Sequence, residues 1–361
     1  MNDYYNVAEV ETACVNLAAN YPGLASLIVL PHITAEGRTS RALHISDGRA
    51  GKPVFMVIGA QHGGEWGSCE IALNLAADLL GAMAGPLPLH YGPVTFQAGA
   101  IQALLDRFDI VIFPLVNPDG RFFSQQTRTD WRKNRNLAYA TPGKPQTIGV
   151  DLNRNHDFAF QRTKYFDPGA VISTSTQSFD DTFQGPAPSS EAETQNLRWL
   201  VDQYPQLRCF VDLHSGDQGV IYPWGDDELQ HTDASMAFHN PVWDHRRGLA
   251  GAGNYREYML ASDLAMHQAL AAAFIATATQ VNGRPFGHLP GFNFRASSGT
   301  SHDWMFSRHV GAGGGAMPTR AVAVEWCSST QRPDFPEMEH IVTDVSAGLI
   351  AMAMTAAGLP V

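Results

Sequence analysis

The run Val54-Phe55-Met56-Val57-Ile58 passes through Gly59-Ala60-Gln61-His62-Gly63-Gly64-Glu65-Trp66 into a helical pattern from Cys69 to Leu80, and no other stretch constrains this chain as strongly. Consecutive apolar residues of this length read as a buried strand. The strand-to-helix turn that follows carries an imidazole and a carboxylate three residues apart. On an opening helical turn, His62 and Glu65 point the same way and can share one ion. A catalytic zinc takes three protein ligands and leaves a position for water, so the rest of the chain has to supply a third.

With 361 residues and 44% hydrophobic content, the chain has ample material for one sizeable core. A formal net charge of −11 argues against nucleic-acid or anionic-membrane partners, since nothing here would neutralise a phosphate backbone. Cys14, Cys69, Cys209 and Cys327 are far apart and form no CxxC pair, so free buried thiols are expected. The first residues lack a basic segment followed by an apolar one, and no apolar run reaches the ~18 residues of a membrane span. The expectation is a cytoplasmic protein with no membrane partner.

In chain order, Asn6 caps a first helix with Val7, Val10, Ala13, Cys14 and Leu17 on one face. Strand-like runs follow at 25–30, 40–45 and 54–58, separated by tight turns that predict antiparallel pairs at one side of a sheet. A short helix is expected around 100–108 after an irregular connection, then a buried strand over 109–116 ending in the turn sequence Asn117-Pro118-Asp119-Gly120. Residues 121–189 show little periodicity and hold many basic and amide side chains, which reads as a functional loop. A capped helix starts at Ser189, with Leu197, Leu200 and Val201 as its apolar stripe. Strands are expected at 207–213, 220–224 and 322–326, and helices at 255–279 and 338–356. Gly311-Ala312-Gly313-Gly314-Gly315 precedes a strand rather than a helix, which favours a mobile loop over an anion site. No linker or repeat divides the chain, so residues 1–361 read as one domain.

His214 follows an apolar strand, as the His62 turn does, and ligand sites form at strand ends on one side of an α/β sheet. It is the natural third ligand, and His62, Glu65 and His214 together make the His₂Glu set of a catalytic zinc. Glu325 lies in a strand of Val, Ala and Trp, where a carboxylate is costly without a partner or a task. An ion pair with an arginine would explain it. So would a general base, because an apolar surround raises a carboxyl towards neutral pH.

In sequence order, His62-Gly63-Gly64-Glu65-Trp66, Asn117-Pro118-Asp119-Gly120, Trp131-Arg132-Lys133-Asn134-Arg135, Gly149-Val150-Asp151-Leu152-Asn153-Arg154-Asn155, His214-Ser215, Tyr222-Pro223-Trp224-Gly225, Ser301-His302-Asp303-Trp304 and Glu325 resemble the zinc metallocarboxypeptidases of the M14, carboxypeptidase A-like family. The matches run from about residue 55 to 330. The resemblance implies an α/β fold with a central mixed sheet of about eight strands flanked by helices. It also implies one Zn²⁺ per chain and hydrolysis of a C-terminal residue from a substrate with a free carboxylate. By motif, Asn153 and Arg154 would grip that carboxylate, Arg132 would stabilise the oxyanion, and Glu325 would carry the proton.

Three positions depart from the family pattern. Gly64 stands where many members have arginine, and Gly216 stands where tyrosine is frequent two residues after the third ligand. Arg295, beside Phe294, stands where the substrate-closing tyrosine is expected. With His302 at the base of the side-chain pocket, Arg295 predicts a preference for acidic or polar terminal side chains. An amidase or deacylase acting on N-acyl amino acids or cell-wall peptides, and a catalytically silent binding protein, are the competing readings.

Overall fold

In the computed structural model, which describes residues 3–85, 87–251, 255–311, 318–328 and 330–361, Asn6 caps the first helix, α1 (Val7–Asn20). The Asn6 side chain accepts from Glu9 N at 3.0 Å and the Glu9 carboxylate accepts from Asn6 N at 2.8 Å, a reciprocal capping box. Three strands follow, β1 (Ala25–Val29), β2 (Arg41–Ile45) and β3 (Val54–Gly59). Next come α2 (Gly67–Ala84), a hairpin of β4 (Leu89–Tyr91) and β5 (Val94–Phe96), α3 (Ala98–Arg107) and β6 (Asp109–Phe113). Helices α4 (Pro118–Thr127) and α5 (Arg162–Tyr165) interrupt a loop-rich stretch before α6 (Ala192–Asp202), β7 (Leu207–His214) and β8 (Gln218–Tyr222). The short strands β9 (Gln230–His231) and β10 (Glu257–Tyr258) pair with each other. Then come α7 (Ala261–Asn282), β11 (Gly287–Pro290), α8 (Gly291–Arg295), α9 (Ser301–Gly311), β12 (Arg320–Trp326) and α10 (Phe335–Ala356).

Eight of the strands form one mixed sheet in the order β1-β2-β6-β3-β7-β12-β8-β11. Its centre, β6-β3-β7-β12, is wholly parallel, so the carboxyl ends of four buried strands share one edge. Side chains alternate across the sheet. Phe55 and Val57 enter one core with α2, α7 and α10, while Val54, Met56 and Ile58 enter a second core with Leu197 and Leu200 of α6 and Phe306 of α9. Helices on both faces explain why these strands read as continuous apolar runs. All four cysteines are buried thiols outside any disulfide, as expected.

Several local expectations need correction. β1 and β2 are antiparallel, but β3 pairs with β6 and β7 instead of extending that meander. Asn117-Pro118-Asp119-Gly120 is not a turn: Asn117 caps α4, accepting from Gly120 N at 2.8 Å, and Pro118 takes the first helical position, where a missing N–H costs nothing. The cap of α6 is Glu191, not Ser189, and Ser190 Oγ bonds the Glu191 carboxylate instead of a helix N–H. Residues 257–258, expected as helix, belong to β10, and α7 begins at Ala261. The glycine run past Gly311 lies outside the described residues.

The expectation that no apolar stretch reaches membrane length fails at α7, which is long and apolar enough by length and composition. Its Leu270, Ala271, Phe274 and Ala278 are buried in the first core, and Phe274 sits against Gly348 of α10.

Buried acids set a pH dependence for the fold. Burial raises Glu193, on α6, from 4.5 to about 8, against a hydrogen bond from Asn134 Nδ2 at 3.0 Å and one from its own backbone N–H. A carboxyl whose pKa rises on folding binds its proton more tightly in the folded state. Its contribution is complete below its unfolded pKa and is lost as pH rises through about 8, at no more than about 1.4 kcal/mol per pH unit. The urea midpoint of Glu193→Gln, measured from about pH 5 to 8, should therefore gain on the wild type as pH rises. Parallel curves would contradict this account.

Candidate metal and substrate site

Three elements deliver the donor set and Glu325 to the shared strand edge. β3 ends at Gly59 and the chain turns through His62 and Glu65 before α2 starts at Gly67, so this segment is a turn closed by Glu65 N to His62 O, not the helical turn expected. β7 ends on His214 itself, and β12 places Glu325 in register with it. Gly63 lets the His62 turn lie against α4, because a Cβ there would fall 2.4 Å from the Gly120 carbonyl carbon.

His62, Glu65 and His214, all buried, present donor atoms within 4.8 Å of one another. His62 Nδ1 lies 2.7 Å from Glu65 Oε1 and 3.1 Å from His214 Nδ1, which in turn lies 3.1 Å from Glu65 Oε2. Two ligands at about 2.0–2.1 Å in a tetrahedron stand roughly 3.3 Å apart, so the Nδ1 pair has the spacing that zinc requires. Each histidine has its other nitrogen against a carboxylate. His62 Nε2 is 3.2 Å from Asp151 Oδ1, and His214 Nε2 is 2.7 Å from Asp212 Oδ2. That arrangement turns both Nδ1 lone pairs inward and strengthens them as ligands.

The electrostatics agree. Burial would raise Glu65, but His62 and His214 outweigh it and hold the carboxyl well below its usual range. Asp151 is likewise held low against burial, by Arg132, His62 and Arg154. Burial opposes a proton on His214, yet the Asp212 and Glu65 carboxylates beside it push its pKa well up.

All nine residues expected at the site line one cavity of about 150 Å³: the three metal ligands, Arg132, Asn153, Arg154, Arg295, His302 and Glu325. Arg132 Nε donates to Asp151 Oδ2 at 2.7 Å, and Arg132 Nη1 stands 3.4 Å from His62 Nδ1. Asn153 Oδ1 accepts from Ser301 N at 2.8 Å, which fixes the amide so that Nδ2 faces His214 Nε2 at 3.1 Å. That imidazole N–H is already given to Asp212, so Asn153 Nδ2 remains a donor to the cavity. Arg154, 5% exposed, donates to Asn153 O and Ser173 Oγ and has no carboxylate within ion-pair distance among the described residues. Burial and the charges of Arg132 and Arg295 lower its pKa to about 10.

Glu325 has no arginine partner among the described residues, which removes the ion-pair explanation, and its Oε2 is buried without a hydrogen bond. Burial raises it to about 7, with Glu65 adding to the effect and His214 and Arg132 opposing it. His302 is buried with neither ring nitrogen hydrogen-bonded, and burial lowers it to about 3, so it is neutral at physiological pH. Arg295 closes α8 at the rim, exposed, beside Phe294. Gly64 has a packing cause: a Cβ there would lie 3.0 Å from Asp130 Cα and 2.8 Å from Gln331 Oε1, so the Gln331 amide occupies the space of a side chain at 64.

Sequence reasoning missed Asp151, Asp212 and Gln331. Asp212 is an acid in an apolar strand, the same cue that singled out Glu325. Gln331 offers no cue.

A family model described as zinc carboxypeptidase matches residues 10–312, and the chain belongs to that family, whose metal is Zn²⁺. Carboxypeptidase A2 of Rattus norvegicus is 32% identical over 222 residues, covering 62% of this chain and 47% of that protein. Carboxypeptidase B of Astacus astacus is 26% identical over 223 residues, covering 62% and 64%. The chain thus spans about half the length of the carboxypeptidase A relatives it matches. The crystal structure of carboxypeptidase A from Helicoverpa armigera shares the fold at a TM-score of 0.75 and 20% identity, covering 99% of this chain and 74% of that one.

If Asp212 orients His214, Asp212→Asn should weaken zinc binding about 10–100-fold in a chelator competition. Unchanged zinc affinity in a folded variant would count against that role.

Proposed function

We propose that this chain removes the C-terminal residue from peptides, with His62, Glu65 and His214 holding the zinc. The observation that carries the reading is Arg154, a buried guanidinium with no counter-ion among the described residues, beside the free amide donor of Asn153. An unpaired buried charge is expensive, and a planar fork facing a cavity suits a carboxylate bound bidentately. A peptide held there by its terminal carboxylate lays its last amide bond along the floor formed by His62, His214 and Glu325.

Zinc bound at this centre supplies a Lewis acid for water and for the scissile carbonyl. Glu325, with an unpaired Oε2 and a pKa near 7, takes a proton from the attacking water and returns it to the leaving amine. Arg132, oriented by Asp151, places its Nη groups towards the oxygen that gains charge. The side chain of the departing residue meets His302 and, at the rim, Arg295. A neutral imidazole with a free N–H and a nearby guanidinium favour an acidic or polar side chain over an aliphatic one.

Glu325→Gln should lower kcat by about 10²–10⁴ while leaving one zinc per chain, since the amide fills the same space without accepting the proton. Arg154→Met should cut kcat/KM by about 10–100-fold, the worth of a charge-assisted hydrogen bond. On a panel of acylated dipeptides and free peptides differing only in the last residue, Glu or Asp should be released faster than Leu or Phe. Faster release of Leu and Phe would overturn the side-chain assignment. Turnover of N-acyl amino acids but no peptide would replace the peptidase with the deacylase reading.

A further inference from the structure

The parallel strands have a second end, away from the zinc ligands, and it gathers basic side chains. β12 opens with Arg320, β7 with Leu207 and Arg208, and Arg107 closes α3 just before β6. The ladder between β3 and β7 slips here: Val54 pairs with Leu207, but the next residue, Phe55, pairs with Cys209. Arg208 is therefore the extra residue of a bulge, a device that turns a side chain out of the strand's alternation. The three arginines line a hollow of about 420 Å³ whose other walls include Phe108, Met266 and Leu270, a volume within the range of small-molecule sites.

Charge in this hollow is poorly compensated. Arg320 Nη2 pairs with Asp263 at 2.6 Å, but its Nε is buried without an acceptor. Among the described residues Arg208 donates to the carbonyls of Pro205 and Leu207, and Arg107 to those of Ala357 and Gly358. Neither has a carboxylate within ion-pair distance among the described residues, and none of the remaining residues is acidic. Burial and the charge of Arg320 lower the pKa of Arg208. Three guanidiniums that share one carboxylate, Asp263, leave an excess of positive charge in a chain of net charge −11; that excess suits an anion, and the apolar walls suit a hydrocarbon tail.

We propose that this hollow binds a small amphipathic carboxylate, its head between Arg107, Arg208 and Arg320 and its tail against Phe108, Met266 and Leu270. Octanoate is the probe, titrated calorimetrically into the zinc-loaded protein beside acetate and octan-1-ol. Saturable octanoate binding is expected, with acetate and octan-1-ol each about tenfold weaker or worse, since each lacks half of the recognition. The double variant Arg107→Gln/Arg208→Gln should lose octanoate affinity about tenfold or more. Met266→Trp, which fills the hollow without touching charge, should lose it too, and both should keep wild-type melting temperature and peptide hydrolysis. Arg154→Gln should leave octanoate binding unchanged. The proposal is overturned if octanoate does not saturate at millimolar concentration, if both hollow variants bind it like the wild type, or if Arg154→Gln alone abolishes binding.

Discussion

The contact on which the rest of the site depends is the approach of His62 Nδ1 to His214 Nδ1 at 3.1 Å, across 152 residues of chain. Two imidazole lone pairs repel at that distance unless a proton or a cation lies between them. The fold enforces the approach because β3 and β7 are hydrogen-bonded neighbours ending at the same edge. Asp151 and Asp212 enforce the orientation by taking the outward nitrogens. Gln61 and Ser301 both donate to Asp212 Oδ2, so the second of these carboxylates is itself held in place.

That inner polar ring extends into the substrate pocket without a break. Ser301 bonds Asp212 through its hydroxyl and Asn153 through its N–H, and Asn153 stands against His214. The residues that hold Asp212 against His214 are therefore also those that fix the amide of Asn153, and His302 follows Ser301 directly in α9. His214, Asp212, Ser301 and Asn153 are thus coupled through buried hydrogen bonds, where a misplaced group costs more than it would in water. Arg154 is the exception inside this network: it has no carboxylate within ion-pair distance among the described residues, and under the proposed function a substrate carboxylate would supply its counter-charge.

Much of this was legible in the sequence because the information was local. Continuous apolar runs gave the strands of the parallel centre, and polar residues just beyond them gave His62, Glu65 and His214. What stayed hidden depended on which strands become neighbours. Nothing in Val54–Ile58 says that β6 and β7, rather than β2, flank it, and the parallel pairings need crossovers that periodicity does not encode. Asn117-Pro118-Asp119-Gly120 was ambiguous for a chemical reason: Asn and Pro start helices by the same preferences that let them form turns. The membrane-length apolarity of α7 went unnoticed because alanines contribute it, whereas Leu270 and Phe274 commit the helix to the core. Gly64 stood out in sequence only as a departure from the arginine of many family members. In the fold it is closely packed, with the Gln331 amide over it and the Asp130 backbone beside it.

The account rests on the claim that zinc sits between His62, Glu65 and His214 at the shared edge of the parallel strands. X-ray absorption at the zinc edge of the metal-loaded protein tests it most directly. Two imidazole nitrogens with oxygen ligands at about 2.0–2.2 Å and no sulfur are expected. A sulfur shell at about 2.3 Å, or a spectrum unchanged when His214 is replaced by alanine, would contradict it.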